Sequence, residues 1–215
     1  MNTTTSPRVC GLLFLGVVLV SSATCKKNET SCLSTQATYS FITTSEWSPQ
    51  AQVINRGDTL ALISKLSKIL QDQVNPSLTV DYSNSTGIGG NITVFKFDTI
   101  LNQLVDAVSS FDFFSRVGTH NNSIDKPNRI INVVYAETST QYILDLGVRA
   151  KERGIYAFYI SNLASRGIRD KNCTKAGFSN TLTNTNKNIN LFEYAMNRPP
   201  ASQFEIDRIY CFRVQ

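Results

Sequence analysis

The chain of 215 residues has a single histidine, His120, and no G-x-S-x-G elbow, no phosphate loop and no G-x-G-x-x-G fingerprint. Each absence removes a class of chemistry. A Ser-His-Asp hydrolase needs its histidine fixed by a carboxylate and set beside a nucleophile. His120 instead lies next to Asn121 and Asn122 and reads as a solvated loop residue. The glycines of Gly87-Ile-Gly-Gly90 sit between two strand-like runs, not at a strand-to-helix turn, so they do not form a nucleotide cradle. The cysteines contain no C-x-x-C pair, which removes the common zinc patterns. The 21 Lys and Arg residues are scattered, so the net charge of +5 describes a solvated surface and no nucleic acid is expected. After residue 20 there is no further long apolar run, and no membrane span is expected.

What is present at the start is an address. Arg8 precedes the apolar run from Gly11 to Val20, followed by Ser21, Ser22 and Ala23. Basic, apolar and small residues in that order form a secretory signal peptide, expected over 1–24. A lipoprotein box ending at Cys25 is disfavoured by Thr24 in the position before it. Five sequons outside this leader, at Asn28, Asn84, Asn91, Asn121 and Asn172, point to a eukaryotic secretory route and to N-glycosylation. Removing Cys10 with the leader leaves Cys25, Cys32, Cys173 and Cys211. Four cysteines in an oxidising compartment predict two disulfides, with three pairings open. The expected product is a secreted, extracellular glycoprotein with a cysteine-containing lead (25–36) and one domain (37–215).

Apolar spacing sets the expected elements. Residues 37–42 read as a strand ending in a polar loop, 43–49. Leu60, Ile63, Leu66, Ile69 and Leu70 predict a helix after Asp58. Residues 78–82 and 92–97 predict a hairpin, and Asp98 a second helix carrying Ile100, Leu101, Leu104, Val105 and Val108. The apolar runs 129–135 and 155–160 read as buried parallel strands flanking a helix that starts at Ser139 or Thr140 and ends at Arg153-Gly154. A long polar stretch, 161–188, precedes a short helix near 191–196 and a last strand, 209–214. Alternating strands and helices predict an α/β fold: three layers, a mostly parallel central sheet with one antiparallel edge strand, and helices on both faces.

This order of elements resembles a von Willebrand factor type A domain. The residues carrying the likeness are Thr38-Tyr-Ser-Phe-Ile-Thr-Thr-Ser-Glu-Trp-Ser48, the hairpin and helix from Leu78, Pro127 to Tyr135, Ala150-Lys-Glu-Arg-Gly-Ile-Tyr-Ala-Phe158, and the tail 191–214. The chain is similar to stand-alone secreted members of that family found in nematodes. The resemblance implies an adhesion-type domain whose metal site has decayed. Thr43 or Thr44 stands in place of the first metal-binding aspartate and Ala136 in place of the second, so neither a strong metal site nor a cofactor is expected. The implied role is non-catalytic recognition of an extracellular protein or glycan. Its candidate loops are Ser45, Glu46, Trp47 and Ser48, with Thr119 and Glu137. Two alternatives are a metal-dependent (Mg or Mn) adhesion domain with a rearranged site and a small secreted α/β hydrolase using His120.

Overall fold

A computed structural model describes residues 37–123, 130–168 and 174–215. The expected leader and cysteine-containing lead lie outside the described residues, as do Asn28, Asn172, Cys25, Cys32 and Cys173. The domain boundaries set at 24 and 36 therefore stay expectations.

The architecture is a β-sandwich. The ten main strands are β1 (Tyr39–Ser48), β2 (Thr59–Ser67), β3 (Gly89–Asp98), β4 (Phe111–Val117), β5 (Thr119–Ser123), β6 (Ile130–Val134), β7 (Gln141–Ala150), β8 (Gly154–Ile160), β9 (Ala176–Leu182) and β10 (Ile209–Val214). One layer runs β4–β7–β2–β1–β9 and the other β5–β6–β3–β8–β10. They meet at one edge through the short strand Leu163–Ala164, where Ala164 pairs with Gly89. Among these ten strands the pairing is antiparallel except between β1 and β9.

This topology overturns the three-layer α/β expectation, and with it the von Willebrand factor type A resemblance, which requires a parallel sheet between helices. The reasons lie in particular residues. Leu60, Ile63, Leu66 and Ile69 recur every three residues, an interval that reads as one face of a helix. Burial decides: Leu60, Leu62, Ser64 and Leu66 face the core with period two, and Ile63 falls on the opposite face of β2. Tyr142, Leu144, Leu146, Val148 and Ala150 alternate in the same way, so the predicted helix after Thr140 is β7.

Asp98 does cap, accepting the N–H of Ile100 (2.9 Å) and of Leu101 (3.0 Å), but it caps a turn. Asn102 (φ 50°) then sends the chain back as the strand Gln103–Asp106 against β3, leaving Ile100 90% exposed. The expected hairpin of 78–82 with 92–97 is also not formed. Thr79–Asp81 pairs with Ile69–Gln71, while β3 pairs with β6 and β8.

The strands at 130–134, 154–160 and 209–214 occur where expected. Their continuous apolar character has a different origin from parallel pairing. Tyr156, Phe158, Tyr210 and Phe212 fill the space between the sheets, while Ile155, Ala157, Ile209 and Cys211 lie on the outer face under the helix α1 (Ile189–Met196) through Leu191, Phe192 and Ala195. Both faces of β8 and β10 are thus buried.

The chain changes sheets at Gly118 (φ +85°), between β4 in one layer and β5 in the other. A β-carbon there would come within 2.6 Å of the Val134 carbonyl oxygen, so both the dihedral and the space require glycine.

Candidate functional site

The polar segment expected to be a recognition loop is the second half of β1, and its pleat divides the predicted residues. Ser45 and Trp47 point inward, Glu46 and Ser48 outward. The Ser45 hydroxyl donates to Asn180 Oδ1 (3.0 Å). Trp47 has no exposed surface. Its ring centre lies 4.9 Å from that of Phe158 and 6.0 Å from that of Tyr210, and Asn184 bonds its backbone N–H and C=O, both at 2.8 Å. An indole expected at a binding edge is therefore a core anchor joining the two sheets.

The other candidates lie elsewhere. Thr119 is exposed on β5, opposite Val134 in the second sheet. Glu137 pairs across from Tyr142, with its carboxylate 2.8 Å from Lys68 Nζ and accepting the Asn84 N–H at 3.0 Å. Burial pushes the Glu137 pKa up, but the Lys68 hydrogen bond, the Asn84 N–H and the Lys68 charge together hold it below the ordinary value. Ser45, Thr119 and Glu137 are thus each engaged with different partners. Among the described residues no group of three His, Cys, Asp or Glu side chains is placed to hold a metal ion.

His120 is half-buried, and its Nδ1 lies 2.8 Å from Ser115 Oγ. This bond spans the bend at Gly118 and braces the crossing between sheets. No described carboxylate hydrogen-bonds the ring, so the third member of a triad is not in place. Cys211, expected in a disulfide, is a free thiol buried under α1, where burial pushes its pKa up. No described helix is long and apolar enough to cross a membrane.

What the residues do assemble is a surface. On the outer face of the first sheet, Glu46, Ile63 and Asp145 form one row across β1, β2 and β7. Ser48, Ala61, Gly147 and Phe114 form the next row, reaching β4. Ile42, 52% exposed, and Lys65 continue this face, and a cleft of about 260 Å³ opens between Thr44, Glu46, Ile63, Lys65 and Thr183.

The Phe114 ring lies over Gly147, with the Arg116 and Arg149 guanidinium carbons 5.6 and 5.9 Å from its centre. Arg116 also pairs with Asp145 at 3.4 Å. Among the described residues Lys65, Arg149 and Glu46 make no ion pair, so unpaired charges of both signs stand beside apolar side chains on this face. Sequence reasoning found Glu46 and Ser48 but missed Ile42, Ile63, Lys65, Phe114 and Arg149. Reading β2 and β7 as helices hid the rows that bring these residues together.

Beneath the cleft, the Tyr135 hydroxyl is buried without a hydrogen-bond partner. Burial raises its pKa, and the hydroxyls of Ser64 and Ser45 offset part of the rise. Neither serine completes a hydrogen bond to it; the Ser64 proton goes to the Thr44 carbonyl (2.6 Å) and the Ser45 proton to Asn180.

The class defined by this geometry is a two-sheet β domain with one sheet face open. No protein-family model matches the chain, and no curated protein matches it in sequence. Solved structures similar to it include cohesin modules. One is a type II cohesin dyad from the adaptor scaffoldin ScaA of Acetivibrio cellulolyticus (TM-score 0.34, 9% identity, 68% of this chain and 47% of that chain). Another is a type II cohesin in complex with X-dockerin from the same organism (TM-score 0.34, 12% identity, 66% and 95%). A third is a cohesin module from a family 33 glycoside hydrolase of Clostridium perfringens (TM-score 0.30, 8% identity, 65% and 98%). The chain spans about half the length of the dyad. The reading of the site rests on the chain's own geometry.

Proposed function

We propose that the chain is a secreted, non-catalytic recognition domain that binds an extracellular protein through the outer face of β1, β2 and β7. The observation that carries this reading is the outward row Glu46–Ile63–Asp145 with Ile42 and Lys65 beside it. Apolar and charged side chains are interspersed there, while α1 occupies the outer face of the opposite sheet. A face that sets Ile42 and Ile63 among Glu46, Asp145, Lys65 and Arg149 suits a protein partner with an apolar centre ringed by charges of complementary sign.

Photo-crosslinking amino acids at Ile42 and Lys65 test the reading in extracellular medium, with Ile100 and Tyr194 as exposed controls. The expected result is one protein captured from both face positions and not from the controls. Capture only from Ile100 or Tyr194, or adducts that are purely carbohydrate, would contradict it.

A further inference from the structure

The structure places two of the sequons side by side. Asn121 on β5 pairs with Asn132 on β6, and Asn132 pairs with Asn91 on β3. Residues directly opposite one another share a face, and adjacent strands lie about 4.8 Å apart, so Asn91 and Asn121 stand roughly 10 Å apart on one face. That face is the outer one: Ile92, Ile131 and Val133, the neighbours in sequence of Asn91 and Asn132, are buried between the sheets. Asn91 and Asn121 are both exposed. Beside Asn91, a cleft of about 370 Å³ runs over the backbone of Gly89 and Gly90 towards Asn162 and Arg166. A β-carbon at Gly90 would meet the Asn162 carbonyl oxygen at 2.9 Å, so glycine lets these two segments approach across the sheet junction.

We infer that Asn91 and Asn121 carry a pair of N-glycans that together cover the outer face of β3, β5 and β6. The donor is a lipid diphosphate-linked oligosaccharide. Each Asn Nδ2 forms a bond to the anomeric carbon, that carbon's bond to the diphosphate oxygen breaks, and the amide proton and the lipid diphosphate depart. The sugars and α1 then divide the outer face of this sheet between them. The Asn91 glycan has the adjacent cleft for its first residues, where Asn132, Asn162 and Arg166 offer amide and guanidinium groups to carbohydrate hydroxyls beside an apolar wall. This inference rests on the export reading but not on the identity of any binding partner.

The test is expression of the full chain in eukaryotic secretory cells, followed by enzymatic deglycosylation in heavy-oxygen water and peptide mapping of the protein in the medium. Conversion to labelled aspartate is expected at both Asn91 and Asn121. Asn91→Gln and Asn121→Gln should each remove one glycan's mass from the intact protein. Chain found in the medium with either asparagine unmodified overturns the pair while export stands. Chain held in the cytosol overturns export and the pair together.

Discussion

Trp47 and Phe158, from opposite sheets, pack with ring centres 4.9 Å apart and neither has exposed surface. The contact fixes which side of β1 faces the core, and so which residues of that strand are left for recognition.

Trp47 is the only tryptophan, so its fluorescence reports the sandwich core alone. Native emission is expected at the short wavelengths of a buried indole, shifting to the solvated value in one cooperative step with denaturant. Trp47→Ala should cost about 3–5 kcal/mol, as truncation of a buried aromatic does. Solvated emission from the native protein would contradict the packing.

Gly147 and Phe114 form the second decisive pair. A β-carbon on Gly147 would fall 2.3 Å from atoms of the Phe114 ring. Gly147→Ala is expected to destabilise by about 1–3 kcal/mol through overpacking. Adding Phe114→Ala should make the second substitution cheaper than it is alone, a non-additivity read from a double-mutant cycle by urea unfolding.

The orphan hydroxyl of Tyr135 gives the opposite sign. Tyr135→Phe removes a buried polar group that has no partner and leaves the ring in place. The expected change is between zero and about 1 kcal/mol of added stability, measured by thermal or chemical unfolding. A loss of more than about 1 kcal/mol would show that the hydroxyl is bonded after all.

Two groups predict the pH dependence. Burial is the main cause that pushes the Tyr142 phenol up to about 12 from 10.0, with the Glu137 charge adding to the rise and the Ser85 N–H opposing it. The folded protein therefore keeps a proton that the unfolded chain loses. Its contribution is complete below pH 10 and disappears as pH rises through about 12. For Glu137 the sign reverses. Its lowered pKa contributes above the ordinary 4.5, and that contribution is lost as pH falls through the folded value. Because Glu137 is exposed, its share is about 0.5 kcal/mol or less. Stability measured against pH should flatten at the acid end in Glu137→Gln and at the alkaline end in Tyr142→Phe.

The sequence was legible where one signal had one meaning. The strands at Ile130–Val134, Gly154–Ile160 and Ile209–Val214 and the helix Ile189–Met196 all occur at the predicted positions. It misled where one signal had two meanings. Asp98 capped a turn as readily as it would have capped a helix. The three-residue recurrence of Leu60, Ile63 and Leu66 imitated a helix face on a strand, and double-sided burial under α1 imitated a parallel strand. The outward position of Glu46 and Ser48 was recoverable from alternation along β1 alone. Their row partners on β2 and β7 were not, because cross-strand register depends on pairing between distant parts of the chain.

Hydroxyl-radical footprinting of the secreted glycoprotein, before and after enzymatic removal of its sugars, tests the two-faced sandwich most directly. Ile42 should label equally in both forms, Trp47 should stay protected in both, and Val134, exposed beside Asn132 on the sugar-bearing face, should gain label once the glycans are removed. Labelling of Trp47 with protection of Ile42 in the native protein would contradict the account.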